Sequence, residues 1–169
     1  MGNEKTKKII IALLVAVVLV LVIYLLFFNK EKKVEYYLTT SSTQVENTFF
    51  KDYKSFKKFY DKTSDLDDTL TNKADFKKSS LAETFTEDFF NDNRLALVAV
   101  YEDTSKDYMY SIDKVEYNSD KTEATITYTY KYGTFADVLS RTWYDYMFVK
   151  LPSTVETVNF VKDNNSNSK

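Results

Sequence analysis

Hydrophobic positions along the chain follow three successive patterns: one unbroken apolar run, two stretches with helical spacing, and a series of alternating segments. The run from Ile9 to Phe28 carries no charge over twenty residues. At 1.5 Å rise per residue it spans about 30 Å, the thickness of bilayer hydrocarbon. It has no polar face, so it predicts a transmembrane helix rather than a core helix. Bulky Tyr24, Phe27 and Phe28 close the run where a signal peptidase requires small residues, so the anchor is expected to stay uncleaved. Lys5, Lys7 and Lys8 precede it and Lys30, Lys32 and Lys33 follow it. With the lysines tied, the free α-amino group and the short leader place the N-terminus in the cytoplasm and the rest outside.

The helical pattern comes next. Phe49, Tyr53, Phe56 and Tyr60 recur at i, i+4, i+7 and i+11, widened by Phe50 and Phe59, with Lys51, Lys54, Lys57 and Lys58 mostly opposite. This spacing predicts an amphipathic helix capped by Asn47 or Thr48, its aromatic stripe packed on a core or, less commonly, laid on a membrane surface. Lys77 to Phe90 reads as a second, shorter helix through Leu81, Phe85 and Phe89.

From Arg94 the period becomes two. "LALVAVY" is apolar throughout, as a strand buried on both faces must be. In "YMYSIDKVEY" the alternation slips between Ile112 and Val115, which predicts a bulge or bend. "NSDK" makes a turn, and "EATITYTYKY" sets Ile126, Tyr128, Tyr130 and Tyr132 against Thr125, Thr127, Thr129 and Lys131. "WYDYMFVKL" could be an exposed stacking platform or a strand inside the sheet. Both of its faces are largely apolar, with Trp143, Met147, Val149 and Leu151 on one side and Tyr144, Tyr146, Phe148 and Lys150 on the other. A covered strand fits this best, ended by Pro152, which cannot donate to a ladder. Trp143 is expected to be buried against the helix around Phe56. "STVETVNFVK" supplies a final strand.

The expected fold is therefore α+β: a single N-terminal transmembrane helix, then a small domain of one or two amphipathic helices packed on an antiparallel β-sheet or sandwich. The divisions are a leader (1–8), the span (9–28), a stalk with a possible first strand around Val34 to Leu38 (29–48), the outer domain (49–162) and a disordered tail (163–169).

Composition narrows the chemistry. The 169 residues hold no cysteine, no histidine and two glycines, Gly2 and Gly133. These absences exclude thiol nucleophiles, disulfides, Zn(Cys/His) sites, Ser-His-Asp triads and glycine-rich phosphate loops. Setting aside Glu4, Lys5, Lys7 and Lys8 from the 25 acidic and 23 basic residues leaves the part after Phe28 at −4. A mildly acidic domain lacks the basic footprint of a phosphate-backbone binder, so no nucleic acid is expected. Asp65, Asp67 and Asp68 approach calcium-loop spacing but lack the turn glycine and the twelfth-position glutamate. No metal and no cofactor is expected. "MGNEKT" fits the myristoylation pattern, but a chain with its own span gains little from an acyl anchor.

The segments "EDFFNDNRLALVAVYE", "YSIDKVEY", "ATITYTY", "TFADVLSRTWYDYMFVKLP" and "VETVNF" together resemble the small envelope domains grouped with the C-terminal domain of the protease complex subunit PrcB. The likeness covers roughly residues 85–162. It rests on the double phenylalanine before an apolar strand, the aspartate and tryptophan leading into a strand ending in "LP", and the short closing strand. Family members usually carry glycines near "SKDYMY", and this chain has none there. The resemblance implies an envelope protein with association to a protease complex in its name-giving member, and it implies no catalytic residues.

The expectation for function is a membrane-anchored extracytoplasmic binding or accessory module without catalytic residues. It would meet the membrane through residues 9–28 and another envelope protein through exposed rings, with Tyr108, Tyr144 and Tyr146 as the partner-binding candidates. Two alternatives stand beside it. One is a carboxylate-dependent hydrolase using Asp137, Asp145 or Glu116; the other is a structural subunit of a membrane complex.

Overall fold

A computed structural model describes residues 10, 13–20, 34–63, 65–102, 108–132 and 143–163, and for residues 101, 102, 108, 109, 130–132 and 143 the backbone alone. Two compact units divide at residue 33. In the first, residues 13–20 form helix α1, whose apolar side chains are exposed around the whole circumference, from Leu13 at 62 % to Val20 at 66 %. Most of the remaining predicted span lies outside the described residues. Among the described residues no helix is long and apolar enough to cross a membrane.

The second unit is α+β. Its strands are β1 (Tyr36–Ser41), β2 (Thr48–Phe50), β3 (Thr69–Asn72), β4 (Lys78–Ser80), β5 (Asn93–Glu102), β6 (Tyr108–Tyr117), β7 (Glu123–Tyr132), β8 (Trp143–Pro152) and β9 (Thr157–Asp163). Its helices are α2 (Tyr53–Lys62), α3 (Leu81–Thr84) and α4 (Phe89–Asp92). Six strands form one sheet in the order β2-β5-β8-β1-β3-β4, and three form another in the order β6-β7-β9.

The alternation along β8 explains how these parts stack. Met147, Val149 and Leu151 point to one side, where they meet Ala96 and Val98 of β5 and Ile112, Ala124 and Ile126 of the smaller sheet. Tyr146 and Phe148 point to the other, where they meet Leu95 and Leu97 of β5, Phe56 of α2, and Phe85 and Phe90 from the α3–α4 region. One sheet therefore serves two cores, a sheet-on-sheet core and a helix-on-sheet core, and its strands β5 and β8 are largely apolar on both faces. Phe56 lies edge-on to Phe50, Phe85 and Phe148 at centroid separations of 5.7, 5.6 and 6.3 Å, the arrangement that ring quadrupoles favour.

Several expectations change. The first helix begins later: Asp52 caps it by accepting from Ser55 N at 2.7 Å, and Thr48 to Phe50 pair with β5 instead. The second helix is broken. Lys78 to Ser80 pair with β3, and Leu81 and Phe85 reach the core from α3 and the turn after it. β3 and β4 occupy a stretch read as loop and helix. β1 runs to Ser41 and is an inner strand between β8 and β3. The closing strand β9 pairs with β7 in parallel, where an antiparallel sheet was expected. The bulge falls between Ile112 and Lys114, as the slipped alternation implied. Asp163 belongs to β9, and the rest of the expected tail is outside the described residues, as are the stalk up to Lys33 and the Trp143 side chain.

Candidate functional site

Where β1 ends, the chain enters the Ser/Thr-rich stretch 42–47, a largely solvent-facing loop pinned by hydrogen bonds along its length. Asp65 is the hub. It accepts from Ser42 N at 2.8 Å, from Thr43 Oγ1 at 2.6 Å, from Ser41 Oγ at 3.2 Å, and from the Ser42 hydroxyl. Farther along, Tyr146 Oη donates to Thr43 O at 2.6 Å, and Tyr144 Oη donates to Gln44 Oε1 at 3.3 Å. Asn47 Oδ1 accepts from Ala99 N at 2.9 Å, which closes the loop onto β5. Ser42, Thr43, Gln44 and Glu46 stay exposed beside half-buried Tyr144. A loop ordered before binding loses less entropy when a partner docks.

The hydroxyls of Ser42 and then Thr43 hold the Asp65 carboxyl down to about 2, below its ordinary 3.8. Hydrogen bonds to the charged form cause such a shift. A depressed folded value means that the carboxylate contributes fully above about pH 4 and loses its contribution as pH falls through 2. Protection of the Ser42 amide against hydrogen exchange should therefore decline across that interval. Asp65→Asn should weaken it already at neutral pH, and equal protection in both proteins at pH 7 would rule out the carboxylate as the hub.

The tyrosine candidates separate. Tyr146 is fully buried, with its phenol raised by burial, so it braces the loop from beneath and offers no surface ring. This corrects its assignment as a partner contact. Tyr144 lies at the loop's edge, opposite Ser41 and Tyr101 in register. Tyr108 opens β6 opposite Tyr132, and its side chain lies outside the described residues.

The two acidic candidates among the described residues lie on different sheets. Asp145 sits on β8 opposite Thr40 and Val100, while exposed Glu116 lies on the smaller sheet, paired with Lys114 at 3.0 Å. Asp137 is outside the described residues. Asp65, Asp67 and Asp68 serve separate local tasks: Asp67 accepts from Thr69 N at 2.8 Å and Asp68 from Ser80 Oγ at 2.8 Å. Among the described residues no group of three or more metal-ligating side chains forms.

Sequence reasoning missed Asp65 as an organiser, together with Gln44 and Asn47. Its partners lie 22 to 24 residues away; the available signal was a Ser/Thr run followed by an aspartate, which by itself reads as solvated loop. Comparison with protein-family models, with curated proteins and with solved structures finds no match to this chain.

Proposed function

We propose that the protein is a membrane-anchored, extracytoplasmic binding or accessory module of the cell envelope, working without catalytic residues. The observation that carries this reading is helix α1, in which Leu13, Leu14, Val15, Val17, Val18, Leu19 and Val20 are all more than half exposed. A helix apolar on every face needs an apolar solvent, and the twenty uncharged residues from Ile9 to Phe28 have the length for a bilayer. The resemblance to PrcB-like envelope domains supports the same setting. On this reading the N-terminal side of the span lies in the cytoplasm and residues 29–169 face outward.

On this reading the pinned loop 42–46, with Tyr144 beside it, is the surface offered to another envelope protein. Tyrosine combines a large apolar ring with a polar tip and few rotatable bonds, which suits interface hot spots. A photo-crosslinking residue at Gln44 should give discrete adducts in intact membranes, while one at Lys58, on the exposed side of α2, should not. Tyr144→Ala should abolish the Gln44 adducts with the melting midpoint retained. Adducts of equal yield from both positions would overturn the assignment of this loop.

A further inference from the structure

The β3–β4 hairpin carries a feature that its own stability does not call for. Among the described residues Phe76 is the most exposed large apolar side chain, at 72 %. Its backbone also has φ 59°, a left-handed conformation that suits glycine or asparagine and strains a bulky residue. The turn fixes it there. Phe76 N donates to Asn72 O at 2.8 Å, Asn72 N to Lys77 O at 2.9 Å, Ala74 N to Asn72 Oδ1 at 2.7 Å, and Lys77 N to Asp75 Oδ1 at 3.1 Å. The ring is thus held outward on an ordered tip. Lys73 Nζ lies 5.7 Å from its centroid, and Lys77 and Lys78 follow it. Asp75 is the one acid in the turn, and Lys77 pairs with it at 3.1 Å. The tip therefore joins a protruding ring to an excess of positive charge.

Its place in the sheet suggests what it meets. Lys73 N donates to Tyr36 O at 3.0 Å, and Asn72 lies opposite Tyr37. The tip therefore adjoins the beginning of β1, where the chain arrives from the first unit. Glu35 and Lys150 pair with each other at 3.2 Å at this end of β1. From Phe28 to Tyr36 is eight residues, a tether of about 15 Å if flexible and at most about 29 Å if extended. Its sequence, "NKEKK" followed by Val34 and Glu35, adds Lys30, Lys32 and Lys33.

We infer that the β3–β4 hairpin tip is a second membrane contact, which inserts the Phe76 ring into the interface of an anionic bilayer with Lys73, Lys77 and Lys78 at the headgroups. This inference rests on the anchor reading above. One ring and three lysines bind a bilayer weakly when free. Tethering makes the contact intramolecular and raises its effective concentration. The contact would orient the domain on the membrane.

The test uses the full chain reconstituted into vesicles of phosphatidylglycerol and phosphatidylcholine with brominated acyl chains. Phe76→Trp adds an indole to a protein whose one native tryptophan is Trp143, so wild type supplies the background. The added emission should be blue-shifted and quenched by bromine. The quenching should fall when phosphatidylcholine is the only lipid, and also when Lys73, Lys77 and Lys78 are changed to glutamate. Unchanged melting midpoints by circular dichroism exclude misfolding. Protein that resists alkaline carbonate extraction but shows no quenching overturns the hairpin contact and leaves the anchor standing. Protein extracted by carbonate overturns the anchor, and the inference with it.

Discussion

Phe148→Ala is expected to destabilise the domain by about 3–5 kcal/mol, the usual cost of deleting a buried ring. Phe148 is fully buried, and its ring lies 5.4 Å from Phe85, 6.3 Å from Phe56 and 6.4 Å from Phe59. It thus touches three segments at once, α2, the turn after α3 and the six-stranded sheet, near the middle of the core they share. The helices are short, α3 and α4 being four residues each, and helices of that length have no stability of their own in water. Loss of the ring should therefore lower the urea midpoint, and amides of α2 should exchange faster than those of β7. A midpoint within experimental error of wild type would show that the helix layer is not held on the sheet by this residue.

Ile126→Asp should have a comparable or larger effect for a different reason. Ile126 has no exposure and lies between the two sheets with Val98, Met147 and Val149. A carboxylate there has no cationic partner among the core residues and must either remain charged at high cost or take up a proton. The penalty of several kcal/mol approaches the total stability of a small domain, about 5–15 kcal/mol. Its pH dependence follows from the direction of the shift. Burial raises the folded pKa of an introduced acid above the unfolded value of about 4, so the folded state binds the proton more tightly. The charge-related part of the loss is therefore largest at neutral pH and disappears as pH falls toward 4. Thermal melts should show the gap to wild type narrowing over that range. A gap independent of pH would mean that water reaches the space between the sheets.

β8 was legible in the sequence because a strand buried on both faces leaves an apolar run broken only by residues at its ends. Met147, Val149 and Leu151 separate from Tyr146 and Phe148 by alternation alone, and each set reaches the core that its parity implies. Depth was not legible in the same way. Tyr144 and Tyr146 share a face, yet only the second is fully buried, because the coverage over each comes from the loop and α2, elements distant in sequence. β3 and β4 escaped notice because "TLTN" and "KSS" hold one buried side chain, Leu70, and are strands by virtue of backbone pairing next to β1. Phe49 and Phe50 satisfied the helical spacing and also fit a short strand. The choice between them was made by Asp52, whose carboxylate starts the helix two residues later. Parallel pairing of β9 was beyond reach, since a period of two carries no information on strand direction.

The two sheets differ in how their margins meet water, and this bears on crowding. On the six-stranded sheet the outermost strands β2 and β4 are three residues long, too short to template another chain. On the three-stranded sheet, β6 is bent by its bulge at Ile112, which twists its free side away from flat pairing. β9 has neither defence: seven residues long and without an irregularity in its register, it carries exposed Val161 ahead of its only charges, Lys162 and Asp163. On the anchored reading proposed above, copies held in one bilayer would meet at high two-dimensional density. Among the described strands β9 is therefore the margin expected to pair with a neighbouring copy under aggregating conditions.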